Sequence, residues 1–260
     1  MSSALLPITV TLITRNEASR IVAAIQSVKS FATEIIVIDS ESQDDTVKLA
    51  EALGARVVVK PFSGFGQQKN FAQDLASSEW VLNIDADERV TPELEREIRE
   101  FFATGLADKI QGAYLPRKTW YLDRWVMHGG WYPNYLLRFS KKKSSRWSEP
   151  TLHEDLLVTG ETIYFKNPLE HFSFPSQKSH ILKNVEYARH ASQGLLAKGK
   201  HARISDLILR PFWKFIDGYF IKMGFLDGRA GFFIAIHSAY ATFLRYTYLH
   251  ELTAPNTDSR

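Results

Sequence analysis

The chain has 260 residues, 45% of them hydrophobic, and a formal net charge of +3. That is enough apolar material to bury a full core, and too little positive charge to demand a polyanionic partner, so neither disorder nor nucleic-acid binding is expected. There is no cysteine, which excludes disulfides, cysteine zinc sites and cysteine nucleophiles and fits a reducing compartment.

The opening "MSSALLPITVTLITRNE" has no basic stretch ahead of its apolar run, so it does not read as an export signal. Four short β-branched runs follow: "ITVTLIT" (8–14), "EIIVIDS" (34–40), "RVVVK" (56–60) and "WVLNID" (80–85). Between them apolar residues recur at helical spacing, as in Ile21, Ile25, Val28 and Val47, Ala50, Leu53. Alternation of this kind predicts a parallel sheet covered by helices on both faces, with ligands bound beyond the carboxyl ends of its strands. Polar residues fall where that rule places a ligand: Thr14-Arg15-Asn16-Glu17 after the first strand, Asp39 to Asp45 after the second, Asp85-Ala86-Asp87-Glu88 after the fourth.

Asp44 and Asp45 read as caps of a helix starting near Thr46, and Thr91-Pro92-Glu93 as an N-cap, N1 proline and acidic first turn. Asp39, ending an apolar strand, can accept hydrogen bonds from a nucleobase edge. "GFGQQKN" (64–70) follows the third strand and lacks the third glycine of a dinucleotide fingerprint, but Lys69 within it can serve a phosphate. Asp85 and Asp87, one residue apart at a strand end, either form a solvated turn or face one divalent cation. Hard oxygen ligands suit such a cation, and a diphosphate can complete its shell.

"VTLITRNEASRI", "IIVIDSESQDDT", "GFGQQKNFA" and "VLNIDADE", in that order, resemble the nucleotide-sugar domain of the family 2 inverting glycosyltransferases, which have the α/β GT-A fold. "HGGWYPNYLLRFSKKKSSRWSEPTLHEDLLV" (128–158), "LEHFSF" (169–174) and "FLDGRAGFFIAI" (225–236) resemble the branch with the lipopolysaccharide-core β-1,4-glucosyltransferases. The resemblance implies a mostly parallel central sheet flanked by helices. It implies that Thr14, Glu17 and Asp39 hold uracil and ribose, that Lys69 lies near base or diphosphate, that Asp85 meets the ribose or the metal shell, and that Asp87 ligates Mg²⁺ or Mn²⁺. His171 is either an ordinary histidine or a third metal ligand. An inverting transfer needs a base for the acceptor hydroxyl, and His153-Glu154-Asp155 holds the candidates: Asp155 by the wider family's pattern, Glu154 by that of the branch. Glu154 is favoured. Trp131, Tyr132 and Arg138 line the sugar side or pack in the core.

After Phe174 the pattern becomes helical. Residues 176–203 carry six Lys or Arg against the single acid Glu186, and apolar residues from Ile204 to Met223 recur at three- and four-residue steps with Arg210, Lys214 and Lys222 between them. Pro211 kinks or starts a helix there. The apolar stretch 230–244 is bracketed by Arg229 and Arg245 and is short of a membrane span. These helices cover the catalytic domain, form a dimer interface, or lie on an anionic membrane surface.

The expectation is a catalytic domain over 1–175 and an amphipathic, membrane-associating helical extension over 176–260. Its activity would be metal-dependent transfer of a hexose from a UDP-sugar to a lipopolysaccharide-core sugar, on the inner face of the cytoplasmic membrane. A polyprenyl-linked or capsule acceptor is the alternative within enzymes, and a nucleotide-sugar-binding or membrane-docking protein without turnover is the alternative outside them.

Overall fold

The computed structural model describes residues 4–149 and 154–253. The chain forms two compact units, one of Met1–Lys118 with Asn134–His171, the other of Thr119–Pro133 with Phe172–Arg260. The expected break after residue 175 lies near the second crossing; the excursion through 119–133 was no part of that expectation.

The first unit begins with β1 (Leu6–Thr14), α1 (Ile21–Gln26), β2 (Ala32–Asp39), α2 (Thr46–Ala52), β3 (Arg56–Val59), α3 (Phe65–Leu75) and β4 (Trp80–Asn83). β1 pairs in parallel with β2 and β4, and β2 with β3. Ile8, Val10, Leu12, Ile36, Val37, Ile38 and Leu82 are buried without alternation, as strands covered on both faces must be. Then come β5 (Glu88–Val90), α4 (Pro92–Ala103), α5 (Leu106–Lys109), β6 (Gly112–Tyr121), β7 (Arg124–Val126), β8 (Asn134–Lys141), β9 (Ser145–Trp147), β10 (Leu156–Val158), β11 (Thr162–Tyr164) and β12 (Leu169–Phe174). The sheet runs in the order β3-β2-β1-β4-β8-β6-β12-β5. It is therefore parallel where the sequence alternates and mixed beyond β4, because β8 joins β4 antiparallel. The α/β GT-A class stands.

Trp80 on β4 packs edge-on against Phe101 of α4 and lies 4.6 Å from Phe139 of β8, measured between ring centres. This aromatic cluster fixes the β4–β8 seam on which the site depends. Thr91 caps α4 as expected, accepting from Leu94 N at 3.1 Å, with Pro92 at the first helical position and Glu93 and Glu95 in the first turn.

The second unit is mainly helical: α6 (Gln177–Ala197), α7 (Ile204–Ile216) and α8 (Gly228–Thr253), with a π turn (Asp217–Ile221) and a 3₁₀ turn (Gly224–Asp227) between the last two. Pro211 sits inside α7 rather than starting a helix. Its core gathers Tyr121, Val126, Ala230 and Ile234, with Trp131 and Phe174 packed against them. Among the described residues, no helix is long and apolar enough to cross a membrane.

Candidate active site

Thr14 ends β1 opposite Asp39, the end of β2. The Thr14 hydroxyl donates to Asp39 Oδ2 at 3.1 Å, and Ser42 N donates to Asp39 Oδ1 at 2.8 Å. The loops after the two strands are stitched together: Asn16 N donates to Ser42 Oγ and Glu17 N to Thr46 Oγ1, each at 2.8 Å. Asp44 accepts from Ala18 N at 3.1 Å and Thr46 N at 3.0 Å, so it joins the two loops as well as the helix start. The Thr46 hydroxyl, hydrogen-bonded to the Asp44 carboxylate, is the chief cause holding that group below its ordinary range. Asp45 occupies the N-cap of α2 without a side-chain capping bond. The Glu17 carboxylate pairs with Arg20 at 3.3 Å. A rigid, twice-laced wall thus carries Thr14 and Asp39.

α3 reverses the usual amphipathic logic, burying the polar residues Gln68, Lys69, Asn70 and Gln73. They are inside because each has a partner. Asn70 Nδ2 donates to Trp147 O and Trp147 N to Asn70 Oδ1, both at 2.9 Å, while Gln73 Nε2 donates to Ser145 O at 2.8 Å. Buried amides matched this way cost little and fix register. β9 is thereby clamped to the helix, ahead of Glu154. Gly66 belongs to this clamp: a Cβ there would lie 2.1 Å from Ser148 O. Gly66 thus allows the close approach of the Ser148 carbonyl, whereas a Cβ on Gly64 would meet nothing within 4 Å.

Lys69, only 3% exposed, reaches the Glu154 carboxylate at 2.6 Å and Asp85 at 3.7 Å, with its ammonium 4.4 Å from the Trp147 ring centre. Glu154 is mostly covered, and Asp155 is exposed. Asp155 N donates to Ser148 Oγ, and its carbonyl accepts from Ser148 N, both at 2.9 Å. His153 lies outside the described residues.

Three carboxylates follow β4, and each meets a positive or protonatable partner. Arg138 on β8 is buried; Nη1 donates to Asn83 Oδ1 at 2.8 Å and Nη2 to Asp85 Oδ2 at 2.7 Å. Burial alone would raise the Asp85 pKa, but Arg138 and then Lys69 hold it well below the carboxylate range. Burial would likewise weaken the Arg138 charge; Asp85 and Glu88 instead keep its pKa above the ordinary value. Glu88, fully buried, accepts from Asp85 N at 2.9 Å and pairs with Arg117 at 3.4 Å. Asp87 faces His171 Nε2 at 3.4 Å, because β12 lies antiparallel to β5 with His171 opposite Glu88.

Among the described residues, no group of three or more His, Asp or Glu is arranged to hold a metal alone. The Asp87–His171 pair does fit a shared ion. Two ligands at right angles, each about 2.1 Å from one cation, stand roughly 3 Å apart, close to the distance seen, and the carboxylate is a hard oxygen ligand of the kind Mg²⁺ and Mn²⁺ take. Asp85 faces Arg138 and Lys69 and is the poorer ligand. Sequence reasoning left Arg138 between sugar contact and core, and it missed Asn83 and Trp147 altogether. Trp131 packs on Tyr121 and Phe174 in the second unit, to which Tyr132 also belongs.

The model of the family "Glycosyl transferase family 2" matches residues 9–170, which include every side chain of this site except His171. An uncharacterized glycosyltransferase of Rickettsia conorii is 36% identical over 256 residues, 92% of this chain and 88% of its own. The chain belongs to glycosyl transferase family 2. It is a glycosyltransferase by that membership, as are its Rickettsia relatives by name. The lipopolysaccharide core biosynthesis glycosyltransferase LpsC of Rhizobium meliloti is 27% identical, covering 97% of both chains. Among solved structures, glucosyl-3-phosphoglycerate synthase of Mycobacterium tuberculosis with Mn²⁺, UDP and glucosyl-3-phosphoglycerate is similar at TM-score 0.46 and 20% identity, over 70% of this chain and 77% of that one. S. aureus TarS in complex with UDP-GlcNAc has the same TM-score at 14% identity, over 94% and 90%.

Proposed function

We propose that this family 2 enzyme transfers a hexose, glucose by preference, from a UDP-sugar to a lipopolysaccharide inner-core sugar with inversion. The observation that carries the transfer reading is the placement of the Thr14–Asp39 wall and of Asp85 and Asp87 past the carboxyl ends of the neighbouring strands β2, β1 and β4, with Lys69 tying Glu154 to Asp85. The LpsC likeness, over nearly the whole of both chains, supports the acceptor class.

Asp39 and Thr14, with Glu17 beside them, bind the uridine. Asp85, fixed by Arg138, meets the ribose side. Asp87 and His171 would hold Mg²⁺ or Mn²⁺, which when bound would neutralise charge on the departing diphosphate. Glu154 takes the proton of the acceptor hydroxyl as its oxygen bonds the anomeric carbon and the diphosphate oxygen leaves with the electron pair. Lys69 holds Oε1 and so aims the carboxylate. Asp155, exposed and bonded to Ser148 through its backbone, is the less favoured base.

In this reading the enzyme works on the inner face of the cytoplasmic membrane, held there by the helices of the second unit. Ile208, Phe212 and Trp213 of α7 are 65%, 66% and 61% exposed, with Arg210 and Lys214 among them, the composition of an interfacial helix on anionic lipid.

The test is a product assay. Full-length protein with a panel of UDP-sugars and glycolipid acceptors should give UDP and one glycosylated product by mass spectrometry. Pyrophosphate instead of UDP would make it a nucleotidyltransferase, and a product on polyprenyl-linked acceptors alone would move the acceptor class. Asp87→Ala should lose turnover and metal-dependent UDP binding while keeping its circular dichroism; full activity of that variant in chelator overturns the metal assignment.

A further inference from the structure

Two phenylalanines of the first unit are exposed beside the site and have no part in the transfer chemistry. Phe62 and Phe65 are 48% and 55% exposed, their ring centres 5.0 Å apart and their planes crossing at 71°. They follow β3, whose last residue Val59 lies opposite Asp39, and Lys60 N donates to Asp39 O at 2.9 Å. The chain therefore leaves β3 alongside Asp39. It then turns at Gly64, with φ of +122°, a region that favours glycine, and enters α3 at Phe65.

Helix geometry fixes the direction of Phe65. At about 100° per residue, position 65 points between positions 68 and 69, one turn nearer the N-terminus. Those two residues diverge to different strand ends. Gln68 Nε2 donates at 3.1 Å to Oγ of Ser40, the neighbour of Asp39, whereas Lys69 reaches Asp85 at 3.7 Å and Glu154 at 2.6 Å. Phe65 is thus aimed between the ends of β2 and β4, on the side of β1, which lies between them in the sheet. Gln68 Nε2 also donates to Lys60 O at 3.2 Å, so the loop that carries Phe62 is tied to the same helix. A nucleobase offers hydrogen-bonding groups at its edge, while its faces stack on aromatic rings. The wall of Thr14, Asp39 and Glu17 is polar and suits the edge; the outward phenylalanine beside it suits a face.

We propose that Phe65, backed edge-on by Phe62, is a specificity-determining residue: the surface on which the uracil ring of the donor stacks. Asp39 selects the base by its edge and Phe65 by its aromatic face. This inference rests on the UDP-sugar reading given above.

The test compares UDP with 5,6-dihydro-UDP, whose base keeps N3–H and both carbonyls but loses the C5–C6 double bond and the flat aromatic face. Both edges bind alike; only one base stacks well. Binding to the full chain with Mn²⁺ is read by calorimetry. The parent should prefer UDP about tenfold, the order that one base–aromatic stack carries. Phe65→Ala should bind UDP about tenfold more weakly and dihydro-UDP within about threefold of the parent, so that the preference disappears, whereas Phe65→Trp should keep it. Phe65→Leu, which preserves apolar bulk without an aromatic face, should also lose the preference and gives a second reading if circular dichroism shows that Phe65→Ala fails to fold. Phe62→Ala should reduce the preference only in part. A parent that binds both nucleotides equally, or Phe65→Ala and Phe65→Leu variants that retain its preference, overturns the stacking role while leaving the donor reading in place. A parent that binds neither nucleotide overturns the donor reading and this inference with it. If Phe65→Ala keeps the preference but pellets less with anionic vesicles than the parent, the phenylalanines meet lipid, and the stacking role is overturned in that way too.

Discussion

The two units handle their costly groups in opposite ways. The first buries charge: Lys69, Glu88 and Arg138 are inside, each held by partners of opposite sign. The second exposes apolar surface: α7 has no buried residue and presents Ile204, Ile208, Leu209, Phe212 and Trp213 to solvent. Neither arrangement is favourable by itself, since buried ions lose hydration and exposed apolar side chains order water. Each is understandable as preparation for something absent from the chain. Buried, fixed charge is how a site stabilises charge that develops during reaction, and a broad apolar face is how a protein meets a surface of like kind.

The sharpest way to break this contrast is to remove a charge from the first unit and look for lost chemistry. Glu154→Gln keeps the shape and the bond to Lys69 but not the basicity, and should reduce turnover about 10²–10⁴-fold with donor binding intact. Asp155→Asn should stay near the parent, because that side chain is exposed. A large loss in Asp155→Asn beside a normal Glu154→Gln would exchange the two roles. Steady-state kinetics with calorimetric UDP binding reads both.

Arg138→Met asks whether the buried charge is also structural. It leaves Asp85 and the fully buried Glu88 short of a cation, and breaking a buried pair from one side costs about 3–5 kcal/mol. The urea midpoint should fall accordingly. A midpoint unchanged from the parent would mean that Lys69 and Arg117 suffice for the cluster.

That arginine also marks the limit of what the sequence shows. The four runs read as strands became β1 to β4, and the polar residues at Thr14, Asp39 and Asp85 fell at their ends, because local alternation and strand polarity are written in neighbouring residues. Arg138 sits on β8, 53 positions from Asp85, and reaches it only because β8 pairs antiparallel with β4. Pairings of such separation are set by the assembled core, here by Trp80 against Phe139. The polar face of α3 misleads for a related reason: Asn70 and Gln73 look like solvent residues until β9 supplies the carbonyls they bind. For His171 the sequence left an ordinary histidine and a third metal ligand both open, since its meeting with Asp87 depends on the register of β12 against β5.

For the second unit the structure refines the test of docking. Phe215 stacks on Tyr219 and meets Phe232 edge-on, so changing it would disturb packing as well as any membrane contact. Ile208, Phe212 and Trp213 are the residues to convert to Ser. The parent should sediment with anionic vesicles, weakly but measurably even at high salt, since screening removes the lysine and arginine contribution and leaves the apolar one. The triple variant should lose the salt-resistant part and keep its circular dichroism. A parent that ignores vesicles, or a triple variant that changes oligomeric state in sedimentation velocity, assigns the face to something other than lipid.

The smallest expected effect sharpens the comparison from inside the second unit, where a buried titratable group lacks a counter-ion. His180 is buried; its Nδ1 lies 3.0 Å from the Tyr121 hydroxyl and its ring 4.5 Å from that of His237, with Phe174 and Trp131 around it and Lys183 nearby. Burial, then His237 and Lys183, push its pKa down to about 4. The unfolded chain therefore binds more protons than the folded one between the ordinary histidine value near 6.5 and about 4. The contribution of neutral His180 to stability is fully present above that ordinary value and is lost as the pH falls through the window. Burial of His237 lowers its pKa too, so the second histidine adds in the same direction. Between pH 7 and pH 5, about 1–2 kcal/mol of stability should disappear, read as a falling urea midpoint. His180→Gln retains a partner for Tyr121 but cannot titrate, so its midpoint should change less over the same interval. If parent and variant lose stability in parallel, the pH dependence arises elsewhere. Should the parent gain stability on acidification, His180 is charged in the fold, and the uncompensated group inferred for this core is in fact paired.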